Sequence, residues 1–295
     1  MNDTVQFFSF QGRSVAWNVQ GEGLPIVLIH GTPFSSHVWH RILPWLARQY
    51  RVYTFDLLGY GQSEKGKDVS LGVQSRLLSA LFEHWKLDHP AVVAHDFGGA
   101  TALRGWLLEG LRYRKLTLID PVVLSPWGSP FVTHVRKHES AFSGMPAYAH
   151  QALLSAYIRG ASSQGLSDSM LKPYLTPWLG KVGQEAFYAQ IAQMDSRFTE
   201  EVENRLNEIE CPTTILWGEE DAWLPFEQGK RLVNLILGAR LIPVPNAGHL
   251  VQEDAPEAII AAILDVSKPQ ESEQLNSPQT LSKENPSILK SQAKK

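Results

Sequence analysis

The stretch Val92-Val93-Ala94-His95-Asp96-Phe97-Gly98-Gly99-Ala100 constrains this chain more than any other. A β-prone apolar run, residues 91–94, stops at an acid with Ala94 and Gly98 two positions away on either side, and a helix-prone segment, 101–109, follows at once. Small residues at those two places let the backbone turn sharply from strand to helix and expose the side chain between them. This is the sequence form of a nucleophile elbow, with Asp96 standing where serine is usual.

The segments around the elbow alternate between strand and helix. Residues 6–10 and 14–19 are short β-prone runs about Gln11-Gly12-Arg13 and read as an opening hairpin. Residues 26–29 are wholly apolar, the pattern of a parallel strand buried on both faces, and end at His30-Gly31-Thr32-Pro33. Helical apolar spacing over 39–50, a strand over 51–55, a glycine-punctuated loop over 56–63 and an amphipathic helix over 73–85 lead to the elbow strand. Beyond it, 116–119 form a strand ending at Asp120-Pro121. Residues 125–207 are helix-prone, broken by Pro126, Pro130, Pro146, Pro173 and Pro177, and lack the apolar runs of central strands; they predict a helical lid inserted into an α/β core. The core resumes with a strand over 213–217, a helix over 226–237, a strand over 240–244 and a helix over 256–266. This alternation predicts a mostly parallel, doubly wound α/β sheet. The expected domains are a core in two parts, 1–124 and 208–267, and a cap, 125–207; the polar segment 268–295 predicts a disordered tail.

Composition narrows the partners. With 295 residues, 43% of them hydrophobic, the chain can bury a large core. A formal net charge of −3 without a basic block argues against nucleic acid and leaves a small organic ligand as the expected partner. The single cysteine, Cys211, has no partner within the chain and is expected to pack. No secretory signal opens the sequence, and no run approaches the roughly 18 apolar residues of a membrane span, so a cytoplasmic monomer or homodimer is expected. Zinc spacing, a phosphate loop and a dinucleotide fingerprint are all missing from the sequence, which predicts chemistry without a cofactor.

Three side chains fall at the C-terminal ends of predicted strands, where parallel sheets bind ligands. They are Asp96, Asp221 in Trp217-Gly218-Glu219-Glu220-Asp221, and His249 in Asn246-Ala247-Gly248-His249. An acid after a strand often only caps a helix, and a lone histidine is often structural. Nucleophile, acid and histidine in that order, each after its own strand, predict a catalytic triad. Asp120 is the alternative acid, although Pro121 after it fits a capping role; Glu219 and Glu220 are expected to be solvated.

On these residues the chain resembles the α/β-hydrolase superfamily, and within it the aspartate-nucleophile branch of epoxide hydrolases and haloalkane dehalogenases. The motifs are His30-Gly31-Thr32-Pro33, Gly59-Tyr60-Gly61-Gln62-Ser63, His95-Asp96-Phe97-Gly98-Gly99, Trp217 to Asp221, and Gly248-His249; the resemblance spans 7–267 apart from much of the lid. It implies attack by Asp96 on an sp3 carbon, an alkyl ester on Asp96, and cleavage of that ester by water activated by His249 and Asp221. It also implies an oxyanion hole made by the backbone N–H groups of Thr32 and Phe97. Epoxide opening in this branch uses two lid tyrosines, for which Tyr188 and either Tyr148 or Tyr157 are the candidates. Halide release uses N–H donors, usually a tryptophan after the nucleophile plus Asn, Glu or Trp. Phe97 and Thr32 lack such side-chain donors, which leaves Trp127 and Trp178 of the lid and turns the expectation toward an epoxide hydrolase. An ester, lactone or amide hydrolase and a ligand-binding protein without catalysis are the other readings the fold allows.

Overall fold

The computed structural model describes residues 4–66 and 68–264; the predicted tail 268–295 and the last residues of the predicted final helix lie outside them. Among the described residues eight strands form one sheet in the order β1-β2-β4-β3-β5-β6-β7-β8. They are β1 (Gln6–Phe10), β2 (Arg13–Gln20), β3 (Leu24–Ile29), β4 (Tyr50–Phe55), β5 (Ala91–His95), β6 (Lys115–Ile119), β7 (Thr213–Gly218) and β8 (Arg240–Val244). The opening hairpin pairs antiparallel, as does β2 with β4; every other pairing is parallel. The apolar runs account for this arrangement. β5 (Ala-Val-Val-Ala-His) and β7 are buried along their whole length, as strands covered by helices on both faces must be.

The helices are α1 (Leu43–Leu46), α2 (Leu71–Trp85), α3 (Phe97–Leu108), α4 (Pro130–Ser143), α5 (Ala147–Arg159), α6 (Asp168–Leu175), α7 (Gly180–Ala192), α8 (Arg197–Glu203), α9 (Phe226–Val233), α10 (Val251–Asp254) and α11 (Pro256–Leu264). The continuous helix expected over 39–50 is a 3₁₀ turn, Ser36–Trp39, followed by the single-turn α1. Pro44 is the cause: it is accommodated in the first turn of a helix and excluded from a helix interior. Helices α4 to α8 all stand between β6 and β7. Among the described residues no helix is long and apolar enough to cross a membrane. Cys211 is buried.

The strand order places the site. From β3 the chain steps to β4 on one side, and β5 then returns to the other side of β3. The loops leaving β3 and β5 therefore diverge and open a crevice between them, the topological switch point at which open α/β sheets bind ligands. Thr32 follows β3, and Asp96 follows β5.

Candidate active site

Asp96 occupies the corner between β5 and α3 with φ 51° and ψ −117°, a conformation that a non-glycine residue adopts only under strain. The turn closes because its neighbours are small. A Cβ on Gly98 would lie 2.4 Å from the Ile29 carbonyl oxygen, and one on Gly31 would lie 2.4 Å from Asp96 Cβ. The side chain is buried at the start of α3, where unpaired N–H groups and the helix dipole favour an anion.

Backbone donors meet that anion. Thr32 N–H donates to Asp96 Oδ1 at 2.7 Å, and the backbone of Phe97 further favours the charged carboxylate. The second oxygen, Oδ2, lies 3.5 Å from His249 Nε2. On the far side of the ring, His249 Nδ1 is 2.8 Å from Asp221 Oδ2. Asp221 is fixed in turn by its own loop: Oδ1 accepts from the N–H groups of Trp223 and Leu224 at 2.7 and 2.9 Å. The three residues thus form a line, Asp96, His249, Asp221, assembled from three strand ends.

Electrostatics fit this order. Burial disfavours ionised Asp96, yet His249, facing it at 3.5 Å and positively charged, outweighs that penalty and holds the carboxyl below its ordinary range. Burial likewise opposes charge on His249, but Asp221 and then Asp96 raise it well above an ordinary histidine. His95, next to the elbow, behaves oppositely. Burial and the charge of His249 push it down to about 3, so it is neutral, and its Nε2 lies 3.0 Å from the His249 carbonyl oxygen, to which it donates.

Asp120 is fully buried after β6, with Oδ1 accepting from Gly218 N–H at 2.8 Å and Oδ2 without a partner among the described residues. Burial and the neighbouring Asp221 raise its pKa well above the carboxylate range. Its surroundings favour the neutral acid, and the carboxylate that meets His249 is that of Asp221. Glu219 and Glu220 are exposed.

A cavity of about 40 Å³ opens over Asp96 and His249. Its wall is mostly apolar, from Phe97, Val122, Val132, Met194 and Leu224 together with the rings of Trp127 and Trp223, and Thr32 and Tyr157 complete it. A far larger surface groove, about 860 Å³, runs past Trp17, His37 and Pro173, but has none of Asp96, Asp221 and His249 in its wall. Chemistry rather than volume places the candidate site in the smaller cavity.

The aromatic residues of 125–207 named from the sequence separate here. Tyr157 lines the cavity, stacked on Trp223 at 4.4 Å, and no hydrogen bond among the described residues engages its hydroxyl. Tyr148 does not: it is 79% exposed, on the solvent side of α5. Tyr188 is buried, but its hydroxyl is 2.9 Å from His150 Nδ1 and serves packing within the helices. The indole N–H of Trp178 donates to the Pro33 carbonyl at 2.7 Å, so it is no free donor. Trp127 reaches the cavity with its ring only, its N–H being bonded to Thr199 Oγ1 at 2.7 Å. For Tyr148 and Tyr188 the cause is shared: sequence position places a residue on a helix, whereas helix rotation decides which face meets the cavity.

Sequence reasoning missed Tyr60, Gln190 and Trp223. Trp223 stands two residues after Asp221, in the same loop as a residue the sequence singles out. Tyr60 belongs to the Gly59–Ser63 motif, which does not name its partner, and Gln190 carried no local signal. Their side chains meet at 2.8 Å across 130 residues, and Gln190 also meets the Thr32 hydroxyl at 2.9 Å.

Comparison with known proteins agrees with this architecture. Residues 26–262 match the model of the alpha/beta hydrolase family. The crystal structure of an alpha/beta hydrolase fold protein from Burkholderia ambifaria is similar at 57% identity and a TM-score of 0.87, covering 88% of this chain and 97% of that one. A 2-hydroxy-6-oxo-2,4-heptadienoate hydrolase from Pseudomonas putida is 28% identical, over 83% of this chain and 89% of its own length. A haloalkane dehalogenase from Agrobacterium fabrum is 29% identical, over 83% of this chain and 85% of its own. The sheet order, the strained strand-to-helix corner and the match over most of the sequence agree: the chain belongs to the alpha/beta hydrolase family.

Proposed function

We propose that this protein is a cofactor-free hydrolase that uses Asp96 as nucleophile and acts on small hydrophobic epoxides. The observation that carries the reading is the carboxylate at the strained corner, with one oxygen on the Thr32 N–H and the other facing His249. A carboxylate attacking a carbonyl carbon would give a labile anhydride; attack on an sp3 carbon gives an ester that water can cleave. Oδ2 attacks a ring carbon, the C–O bond breaks, and its electron pair passes to the ring oxygen. That oxygen takes the Tyr157 proton; burial raises the Tyr157 pKa, which keeps the phenol protonated beforehand. Water then attacks the ester carbonyl as His249 takes its proton, and Thr32 and Phe97 hold the oxyanion. Collapse releases the diol, with the His249 proton passing to the departing alkoxide and the Asp96 proton restoring Tyr157. In this reading 125–207 act as a cap over a core formed by 1–124 and 208–267, and the cavity of about 40 Å³ admits only small substrates.

Halide displacement by the same Asp96 is the second reading, favoured by the similarity to the Agrobacterium dehalogenase. The N–H groups of Trp127 and Trp178 are committed elsewhere, which weighs against it. A panel of small epoxides, bromoalkanes and lactones tests the assignment. Epoxide turnover that disappears in Asp96→Ala and drops roughly 10²–10⁴-fold in Tyr157→Phe is expected. Epoxide turnover that survives Asp96→Ala contradicts it.

A further inference from the structure

His95 is fully buried at the last position of β5 and takes no part in the chemistry above. It is not in the cavity wall, so any effect it has on the reaction runs through another residue. Its two ring nitrogens are unequal. Nε2 lies 3.0 Å from the His249 carbonyl oxygen, which can only accept, so Nε2 carries the proton. Nδ1 is buried and has no partner among the described residues. Burial and the charge of His249 keep the ring neutral, which leaves Nδ1 bare. An apolar side chain would fill the same space without an unpaired nitrogen, so what the imidazole adds at this position is its one bond to His249.

That bond joins the two halves of the site by a short path. His95 is covalently next to Asp96, whereas His249 stands in the loop after β8 and faces Asp96 across 3.5 Å. Asp221 holds the His249 ring at Nδ1, but a single bond on the ring lets it pivot and leaves its backbone to be fixed by other groups. Three successive residues supply those ties. Gly248 N–H donates to Asp254 at 2.8 Å, the His249 carbonyl accepts from His95, and Leu250 N–H donates to the Ala161 carbonyl at 2.8 Å. Of the three, the middle tie alone ends on the strand that carries the nucleophile. We propose that His95 is a positioning residue: its Nε2–H bond to the His249 carbonyl sets the base against the ester on the adjacent Asp96 and governs ester hydrolysis rather than ester formation. This role rests on the Asp96 ester of the reading above and holds for any leaving group.

Single turnovers of the full-length protein, followed by rapid quench and intact mass with 1,2-epoxypropane and bromoethane as probes, test this. Either probe places an alkyl group on Asp96, whose gain and loss are timed separately. His95→Leu removes the donor, His95→Asn keeps an amide too short to reach the carbonyl, and His95→Gln returns an N–H at about the reach of Nε2. In His95→Leu and His95→Asn ester hydrolysis is expected to slow by about 10²-fold, the scale of a reacting group misplaced by about 1 Å. Ester formation should be nearly unchanged in the same samples, which also shows that the chain is folded around Asp96; His95→Asn decides where His95→Leu does not fold. His95→Gln should recover most of the lost hydrolysis rate. Unchanged hydrolysis in His95→Leu and His95→Asn overturns the proposal, as does an equal loss in both steps or a His95→Gln chain as slow as His95→Leu; His95 is then a packing residue and the Asp96 mechanism stands. If His249→Gln, in which the ester should accumulate, gains no mass from either probe, the Asp96 mechanism itself fails and the proposal falls with it.

Discussion

His249 lies between two carboxylates, and the chemistry proposed for Asp96 changes one of them. In the free protein Asp221 and Asp96 together outweigh burial and keep the imidazole protonated well above the ordinary histidine range. An ester on Asp96 is neutral, so its formation removes one of the two charges and lowers the His249 pKa at the stage where a base is required. Ester formation needs ionised Asp96, which is held below the usual carboxylate range, so its rate should stay level from neutral pH down to about pH 4. Ester hydrolysis should instead climb with pH as His249 gives up its proton. Rapid-quench measurement of both steps against pH checks this, and a hydrolysis rate that falls as pH rises contradicts it. The two buried acids near His249 should also separate. Asp221→Asn is expected to lower turnover by roughly 10⁴-fold. Asp120→Asn, which keeps the acceptor for the Gly218 N–H and replaces a neutral acid by a neutral amide, should leave turnover nearly unchanged. Steady-state kinetics on purified variants decide the assignment.

At the scale of elements, the helices between β6 and β7 are laced to the loops that carry the site. Trp178 bonds the Pro33 carbonyl, and Gln190 bonds Thr32, both in the turn whose Thr32 N–H meets Asp96. On the other side, Leu250 N–H donates to the Ala161 carbonyl at 2.8 Å, directly after His249. Asp254 gathers the same region, accepting from Gly248 N–H at 2.8 Å, Ser163 N–H at 2.9 Å and Ser162 Oγ at 2.5 Å. Asp254→Ala leaves those donors without their acceptor and is expected to cost about 1–3 kcal/mol, read from urea unfolding, and to lower turnover by loosening the His249 loop. Much of this scale was readable in the sequence. Apolar runs located the central strands, and each of Asp96, Asp221 and His249 sat at a strand end, where the sheet itself brings residues together. The broken helix over 39–50 escaped the periodicity because Pro44 interrupts a pattern whose apolar spacing is otherwise helical. Gln190 and Tyr60 escaped because their meeting depends on how α7 rests on the sheet, which no local pattern encodes.

Across the whole molecule the buried titrating groups set how stability follows pH. His249 and Asp120 both have folded-state pKa values raised above those of the unfolded chain, about 6.5 and 3.9. The folded state therefore holds protons that the unfolded state has lost, and stability must fall as pH rises through that interval. Asp96 acts with the opposite sign: its depressed pKa contributes stability above about pH 4 that is lost as pH falls through the folded value. Thermal unfolding should accordingly show a Tm that declines from neutral to alkaline pH. In Asp120→Asn the decline from mildly acidic pH upward should be shallower; an identical slope in the variant contradicts a buried neutral Asp120.

The most direct test of the account is a single turnover of a small epoxide in ¹⁸O-labelled water, with enzyme in excess and mass analysis of the peptide that contains Asp96. Water that attacks an ester carbonyl leaves its oxygen on the protein, so the account predicts ¹⁸O in the Asp96 carboxylate and unlabelled diol. Label found only in the diol would mean that water attacked the substrate directly, and would contradict Asp96 as the nucleophile.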